Sequence, residues 1–149
     1  MEGQVTFSVL TESHEGSAGK NWRYWIEAKV FNAGLQGQGT IRVEKHDLPS
    51  GVTQEPPGPP LPIKIPAGNQ SNQIKVKLTL EATEVDLFKN DVGKTDIDLY
   101  LDCPEAGEEP IVYDREVSVG VVESPALRGE TSIITLKVRL VLRCGKSTG

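Results

Sequence analysis

The chain has 149 residues, a length that favours a single domain with a substantial hydrophobic core. Its 16 Lys and Arg residues against 21 Asp and Glu residues give a formal net charge of −5, which argues against a nucleic-acid binder. Hydrophobic residues make up 37% of the chain, which is typical of a folded protein. No run approaches the roughly 18 consecutive apolar residues of a membrane helix, so no membrane insertion is expected.

Alternation of apolar and polar residues predicts strands along most of the chain. A weak strand comes first, at residues 5–10, and the first clear one follows at residues 21–31. The later strands are predicted at residues 40–44, 62–65, 73–81, 96–103, 111–122 and 134–144. Helical periodicity is nearly missing, and only residues 83–89 indicate one helical turn, with Thr83 as its cap and Val85 and Phe88 inward.

The segments between these strands are rich in turn formers. Gly34, Gly37 and Gly39 are interpreted as turn residues, and residues 49–66 hold seven of the ten prolines. This proline density indicates an extended surface connection or a short edge strand. Neither flank alone has enough strands for a sandwich, so residues 1–149 are expected to form one domain. The predicted fold class is all-β, a two-sheet antiparallel β-sandwich of seven or eight strands, with a barrel as the alternative.

Several strings with turn chemistry in common resemble bacterial immunoglobulin-like and fibronectin type III-like extracytoplasmic modules. These strings are YWIEAKVFNAG, GQGTIRVEKHDLPSGVT, IKIPAGNQSNQIKVKLTLEA and GKTDIDLYL, and residues 48–52 and 65–68 carry most of the resemblance. The chain departs from the pattern in its proline insertion, its acidic loop at residues 105–109 and its additional C-terminal strands. The resemblance implies an immunoglobulin-like, non-catalytic module of a surface or extracytoplasmic protein, and it transfers no functional residue.

Aromatic residues crowd the strand at residues 21–31. By parity Trp22 and Tyr24 point inward with Ile26, which leaves Trp25 facing outward, beside Tyr100 if their strands are neighbours. Exposed flat rings on a sheet can stack against sugar rings, so Trp25 and Tyr100 are the candidate ligand-binding residues. Packing in the core or at a sheet edge is the competing interpretation.

Acidic residues concentrate between residues 81 and 116, where twelve of them accompany three basic residues. Asp96, Asp98 and Asp102 share one strand face, and Glu105, Glu108 and Glu109 follow in a loop. Such oxygen donors could bind calcium, but strand neighbours two residues apart are nearly 7 Å from each other. A solvated acidic face is therefore preferred to a metal site, and no cofactor is expected.

The two histidines lie apart from any recognisable nucleophile. His14 falls in the polar run at residues 12–17, which is interpreted as a loop, and His46 closes a strand before Asp47. The sequence therefore predicts no catalytic residue and no enzyme. Cys103 and Cys144 share inward parity at the ends of their strands, which is consistent either with a disulfide or with two buried thiols.

Together these patterns favour a non-catalytic structural or protein-interaction module. It would act by presenting the loops at residues 11–21 and 51–62, or an edge strand that accepts a partner strand. The alternative is a carbohydrate-binding module that uses Trp25 and Tyr100. The expected partner is accordingly a protein or a polysaccharide.

Overall fold

A computed structural model describes residues 3–17, 19–58, 62–68, 71–86, 90–104, 109–122 and 131–144. Nine strands occur within these ranges. They are β1 (Gly3–Gly16), β2 (Asn21–Phe31), β3 (Leu35–Asp47), β4 (Thr53–Gln54), β5 (Ile63–Gly68), β6 (Gln73–Glu84), β7 (Asp91–Asp102), β8 (Ile111–Val122) and β9 (Thr131–Arg143). Glu105 and Glu108, together with residues 87–89 of the predicted helical turn, lie outside the described residues.

The strands form two antiparallel sheets that pack face to face, which confirms the predicted sandwich. The five-stranded sheet has the order β4-β1-β9-β8, and β5 pairs with a second stretch of β1. The four-stranded sheet has the order β3-β2-β6-β7. The proline-rich segment therefore contributes two short edge strands, as one of its two interpretations proposed.

The core lies between the sheets and is built from the alternating residues that the sequence predicts to face inward. On β2, the even-numbered residues from Trp22 to Val30 are buried, and the odd-numbered residues between them point away from the core. Strands β6 and β9 supply the longest apolar rows. Their fully buried members are Ile74, Val76, Leu78, Leu80, Ala82, Ile134, Leu136, Val138, Leu140 and Leu142. Burial of a large aliphatic side chain contributes roughly 1.5–3 kcal/mol, so these rows are the main stabilising element.

Several strands are longer than the sequence predicts. Strand β1 continues to Gly16, so the loop predicted from residue 11 is wrong for residues 11–16. Gly37 and Gly39 lie within β3 and are not turn residues, and Thr83 belongs to β6, so it caps no helix. The glycines of β3 are required because a Cβ on Gly39 would meet the Ile63 side chain of β5 at 2.6 Å.

The two sheets approach each other at both edges of the sandwich. One contact is that of β3 with β5, and the other lies between the edge strands β7 and β8. The latter two strands are close together at Gly93 of β7, where an added Cβ would collide with the carbonyl oxygen of Gly120 on β8. The edge strands of the two sheets therefore lie against each other at this point.

Replacement of Gly93 by alanine is expected to lower the free energy of unfolding by about 1–3 kcal/mol, because the new methyl group must displace backbone. Gly120→Ala is the matched control, since its Cβ would find only Thr131 Cγ2, at 4.0 Å. Gly120→Ala introduces no steric conflict and lowers the conformational entropy of the unfolded chain. It is therefore expected to leave stability unchanged or to raise it slightly. Urea unfolding of the two variants measures the difference, and equal stabilities would contradict the close approach.

Candidate functional site

Two β-bulges, one in each sheet, turn polar side chains into one end of the sandwich. In β1, even-numbered residues point outward up to the bulge between Val9 and Thr11. The extra residue there reverses this alternation, so the even-numbered Glu12 points inward. An extra residue in β3 opposite β2 likewise turns His46 toward the interior. Bulges often redirect side chains in this way near functional sites.

The Glu12 carboxylate joins the two sheets at this end. It is fully buried and accepts hydrogen bonds from the Tyr24 hydroxyl at 2.6 Å, from His46 Nε2 at 2.6 Å and from Gln54 Nε2 at 2.8 Å. The other ring nitrogen of His46 lies 2.7 Å from the carbonyl oxygen of Glu44. Both ring nitrogens of His46 therefore face an oxygen atom that can accept a hydrogen bond.

Tyr24 responds most strongly to this environment. Burial, followed by the hydrogen bond to Glu12 and the negative charge of that carboxylate, raises the pKa of Tyr24 far above its usual value near 10. The phenol therefore remains a hydrogen-bond donor in the folded protein.

This raised pKa predicts an alkaline loss of stability. Above about pH 10 Tyr24 ionises in the unfolded chain but stays protonated in the folded one, so the unfolded state binds fewer protons and the free energy of unfolding falls as pH rises. Each pH unit above 10 is expected to remove about 1.4 kcal/mol. Tyr24→Phe should lack this contribution, with Tyr100→Phe, at an exposed position, as the control. The comparison uses urea unfolding between pH 8 and pH 11. Equal alkaline slopes in the wild type and Tyr24→Phe would contradict the prediction.

A second buried polar contact lies next to this cluster. His14 Nδ1 is 2.8 Å from the carbonyl oxygen of Leu48, and its Nε2 is 2.8 Å from the Ser132 hydroxyl. A ring that donates from Nδ1 leaves Nε2 to accept the serine proton, which is how a general base activates a nucleophile. However, His14 is 1% exposed and Ser132 0% exposed, so the pair lies inside the protein. The prediction of a polar loop around His14 is wrong.

The same histidine fixes the turn at residues 48–52. The backbone N–H of Gly51 donates to the carbonyl oxygen of His14 at 2.7 Å, and Leu48 is fully buried. Gly51 has φ = +84°, a conformation that glycine adopts without steric cost. This turn carried part of the sequence resemblance, and its role here is to attach the proline-rich segment to β1.

The structure places both predicted ligand-binding aromatics on the outer face of the four-stranded sheet but does not bring them together. Strand β6 lies between β2 and β7, so the strands of Trp25 and Tyr100 are not neighbours. Tyr100 aligns across the sheet with Phe31, six residues along β2 from Trp25. Six residues of strand span about 20 Å, which is too far for one sugar ring to touch both side chains.

The surroundings of Trp25 are polar. Its indole N–H donates to the Glu81 carboxylate, and the Lys94 ammonium lies 5.6 Å from the ring centroid. Beside the ring is a shallow cavity of about 300 Å³ over β2, between β3 and β6. The cavity is lined by Arg23, Tyr24, Trp25, Arg42, Val43, Glu44, Glu81 and Thr83.

The acidic side chains of β7 make contacts other than those of a metal site. Asp96 accepts a hydrogen bond of 2.7 Å from the Thr79 hydroxyl, and Asp98 lies 4.0 Å from Lys75. On β8, Asp114 accepts two hydrogen bonds from Arg139, which lowers the pKa of that carboxyl. No group of three potential metal ligands occurs among the residues that the structure describes.

Cys103 and Cys144 form a disulfide in the structure, with Cα atoms 5.7 Å apart. Cys103 follows β7 of the four-stranded sheet and Cys144 follows β9 of the five-stranded sheet. The bridge therefore connects the two sheets directly, at the ends of strands that belong to different layers.

A scan of protein-family models and a search of curated proteins found no match to this chain. Across the described ranges, the structure contains no helix of the length and hydropathy that a membrane span requires. The fold shown by the structure is thus that of an all-β sandwich with two antiparallel sheets.

Proposed function

We propose that this protein is a non-catalytic, immunoglobulin-like module of an extracytoplasmic or surface protein, which acts by presenting a binding surface to a protein partner. The supporting observation is that its candidate reactive side chains lie inside the protein, away from solvent. The side chains with catalytic potential, His14 and Ser132, are buried, and the Glu12 cluster is occupied by contacts that join the two sheets.

The outer face of the four-stranded sheet offers the contact surface. Leu35, Phe31, Lys75 and Tyr100 align in one row across the four strands. Leu35 is 55% exposed and Tyr100 is 61% exposed. Exposed apolar and aromatic side chains in one row suit a protein interface, in which such residues are enriched.

The disulfide supports a location outside the reducing cytosol. Disulfides persist in oxidising compartments and are rare where thioredoxin and glutathione keep thiols reduced. The bridge between Cys103 and Cys144 connects the two layers of the core and suits a structural role in such a compartment.

A fluorophosphonate probe, which reacts with activated serines, tests the non-catalytic proposal. Because Ser132 is buried, we expect no labelling of the folded protein, as measured by intact mass. Ser132→Ala controls for labelling at that residue, and Ser118→Ala controls for an exposed serine. Stoichiometric labelling that is lost in Ser132→Ala but retained in Ser118→Ala would overturn the proposal.

A second candidate function is carbohydrate binding, favoured by the cavity beside Trp25. The cavity combines one aromatic ring with several hydrogen-bonding groups, as a sugar site requires. This version uses Trp25 alone, since Tyr100 lies in a different row of the sheet.

A further inference from the structure

Two arginines, Arg23 and Arg42, line the cavity beside Trp25. Neither Arg23 nor Arg42 makes a hydrogen bond or an ion pair with the described part of the chain. Arg139 of the other sheet differs, because its guanidinium forms a bidentate pair with Asp114. Guanidinium groups recognise carboxylates through such paired hydrogen bonds, so Arg23 and Arg42 are available to an external anion.

Neighbouring strands place these two side chains around the ring. Arg42 of β3 lies directly opposite Trp25 of β2, and Arg23 precedes Trp25 by two residues on the same face. The Glu81 carboxylate accepts a hydrogen bond from the indole N–H. The ammonium of Lys94, on β7 two strands away, lies over the ring. The ring is therefore fixed in position before any ligand arrives, which reduces the entropic cost of binding.

The cavity contains hydrogen-bond acceptors as well as donors. Glu44 and Thr83 line it together with the arginines. Free phosphate is acceptor-rich and would gain little from a carboxylate beside it, whereas a sugar acid supplies hydroxyl donors in addition to its own carboxylate. The C–H face of a pyranose ring can contact the indole at the same time.

We infer that this cavity binds the acidic unit of a uronic-acid saccharide, with its carboxylate at Arg23 and Arg42 and its ring against Trp25. The inference rests on the second candidate function and names its ligand class. The lining carries two guanidinium groups, Arg23 and Arg42, and two carboxylates, Glu44 and Glu81. Glu81 accepts the indole N–H, and Lys94 adds a positive charge over the ring. At physiological ionic strength charges more than about 8 Å away are largely screened, so the net charge of −5 does not prevent local binding.

Titration of the full chain with trigalacturonate tests this site. The readouts are calorimetry and tryptophan fluorescence, in which a change reports on Trp25 because Trp22 is fully buried. The matched ligand is the methyl-esterified trisaccharide, which keeps the rings and loses the charge. Inorganic phosphate and a short poly-glutamate peptide test the two other sources of anionic groups.

Arg23→Gln and Arg42→Gln are each expected to weaken trigalacturonate binding at least ten-fold, because each removes a charge-assisted contact. Arg143→Gln is the control for charge, since it lies on β9 of the other sheet and changes the net charge equally. Trp25→Phe is expected to abolish the fluorescence change. Thermal melts confirm that each variant is folded.

The outcomes separate the ligand class from the wider proposal. Tight binding of the acid with weak binding of the ester supports the inference. Equal binding of acid and ester would overturn the acidic class and leave carbohydrate binding intact, whereas binding of neither saccharide would overturn both. Preferential binding of phosphate or poly-glutamate, or arginine variants that bind like Arg143→Gln, would also overturn the inference.

Discussion

Replacement of Glu12 by alanine is expected to lower the free energy of unfolding by about 3–5 kcal/mol, because several donors lose the one carboxylate that they share and each unsatisfied buried group costs about 1–3 kcal/mol. The variant leaves the Tyr24 hydroxyl, His46 Nε2 and Gln54 Nε2 without their acceptor at the junction of the two sheets. The Tyr24 hydroxyl is the most costly of these donors to leave without an acceptor, because Tyr24 is only 3% exposed. Urea unfolding at pH 7 measures the effect.

Two further variants keep this prediction testable. Glu12→Gln preserves the volume and one carbonyl acceptor for Tyr24, so it should lose less stability and remain folded even if the alanine variant does not. Glu15→Ala removes an exposed carboxylate from the same strand and should stay within about 0.5 kcal/mol of the wild type. A Glu12→Ala variant as stable as Glu15→Ala would show that the cluster contributes little.

Removal of the disulfide is expected to lower the free energy of unfolding by a similar amount. The two cysteines are 41 residues apart in the chain, and a loop of that length corresponds to about 4 kcal/mol of stabilisation in the chain-entropy description. The Cys103→Ser/Cys144→Ser double variant should therefore unfold at a lower urea concentration than the oxidised wild type. Loss of the bridge also removes the only disulfide between the sheets among the described residues.

Reduction and alkylation provide the control for this prediction. The denatured, unreduced wild type should gain no alkyl adducts by mass spectrometry, and it should gain two after reduction. Reduced wild type and the double variant should then have similar stability. Two adducts before reduction would show that the cysteines are free thiols in the isolated protein.

The alternation of residue types predicted much of this fold because most inward positions carry large apolar residues. The bounds of β2 and β8 agree with those predicted, since alternation persists to their ends. It failed in β3 because Gly37 and Gly39 occupy inward positions, where close packing against β5 leaves no space for a side chain. The additional pairing of β4 and β5 to β1 depends on long-range contacts that no local pattern encodes.

The polar cluster could not be predicted from parity, because a bulge reverses it. Glu12 and His14 look like solvent-facing residues after Val9, and only the extra residue at the bulge turns them inward. One signal was present: residues 4–15 contain no glycine, proline, asparagine or aspartate, so nothing in the sequence ends the strand before Gly16. Trp25 was correctly expected to face outward, whereas its distance from Tyr100 depends on strand order.

The pairing of β1 with β9 has a consequence for biosynthesis. These strands are the first and the last described along the chain, and they form the centre of the five-stranded sheet. During translation, the hairpins β2-β3 and β6-β7 can form early. The apolar face of their sheet is not covered until β9 has been synthesised and pairs with β1. The apolar face of the four-stranded sheet is therefore exposed, and prone to aggregation, in the interval between translation of β7 and of β9.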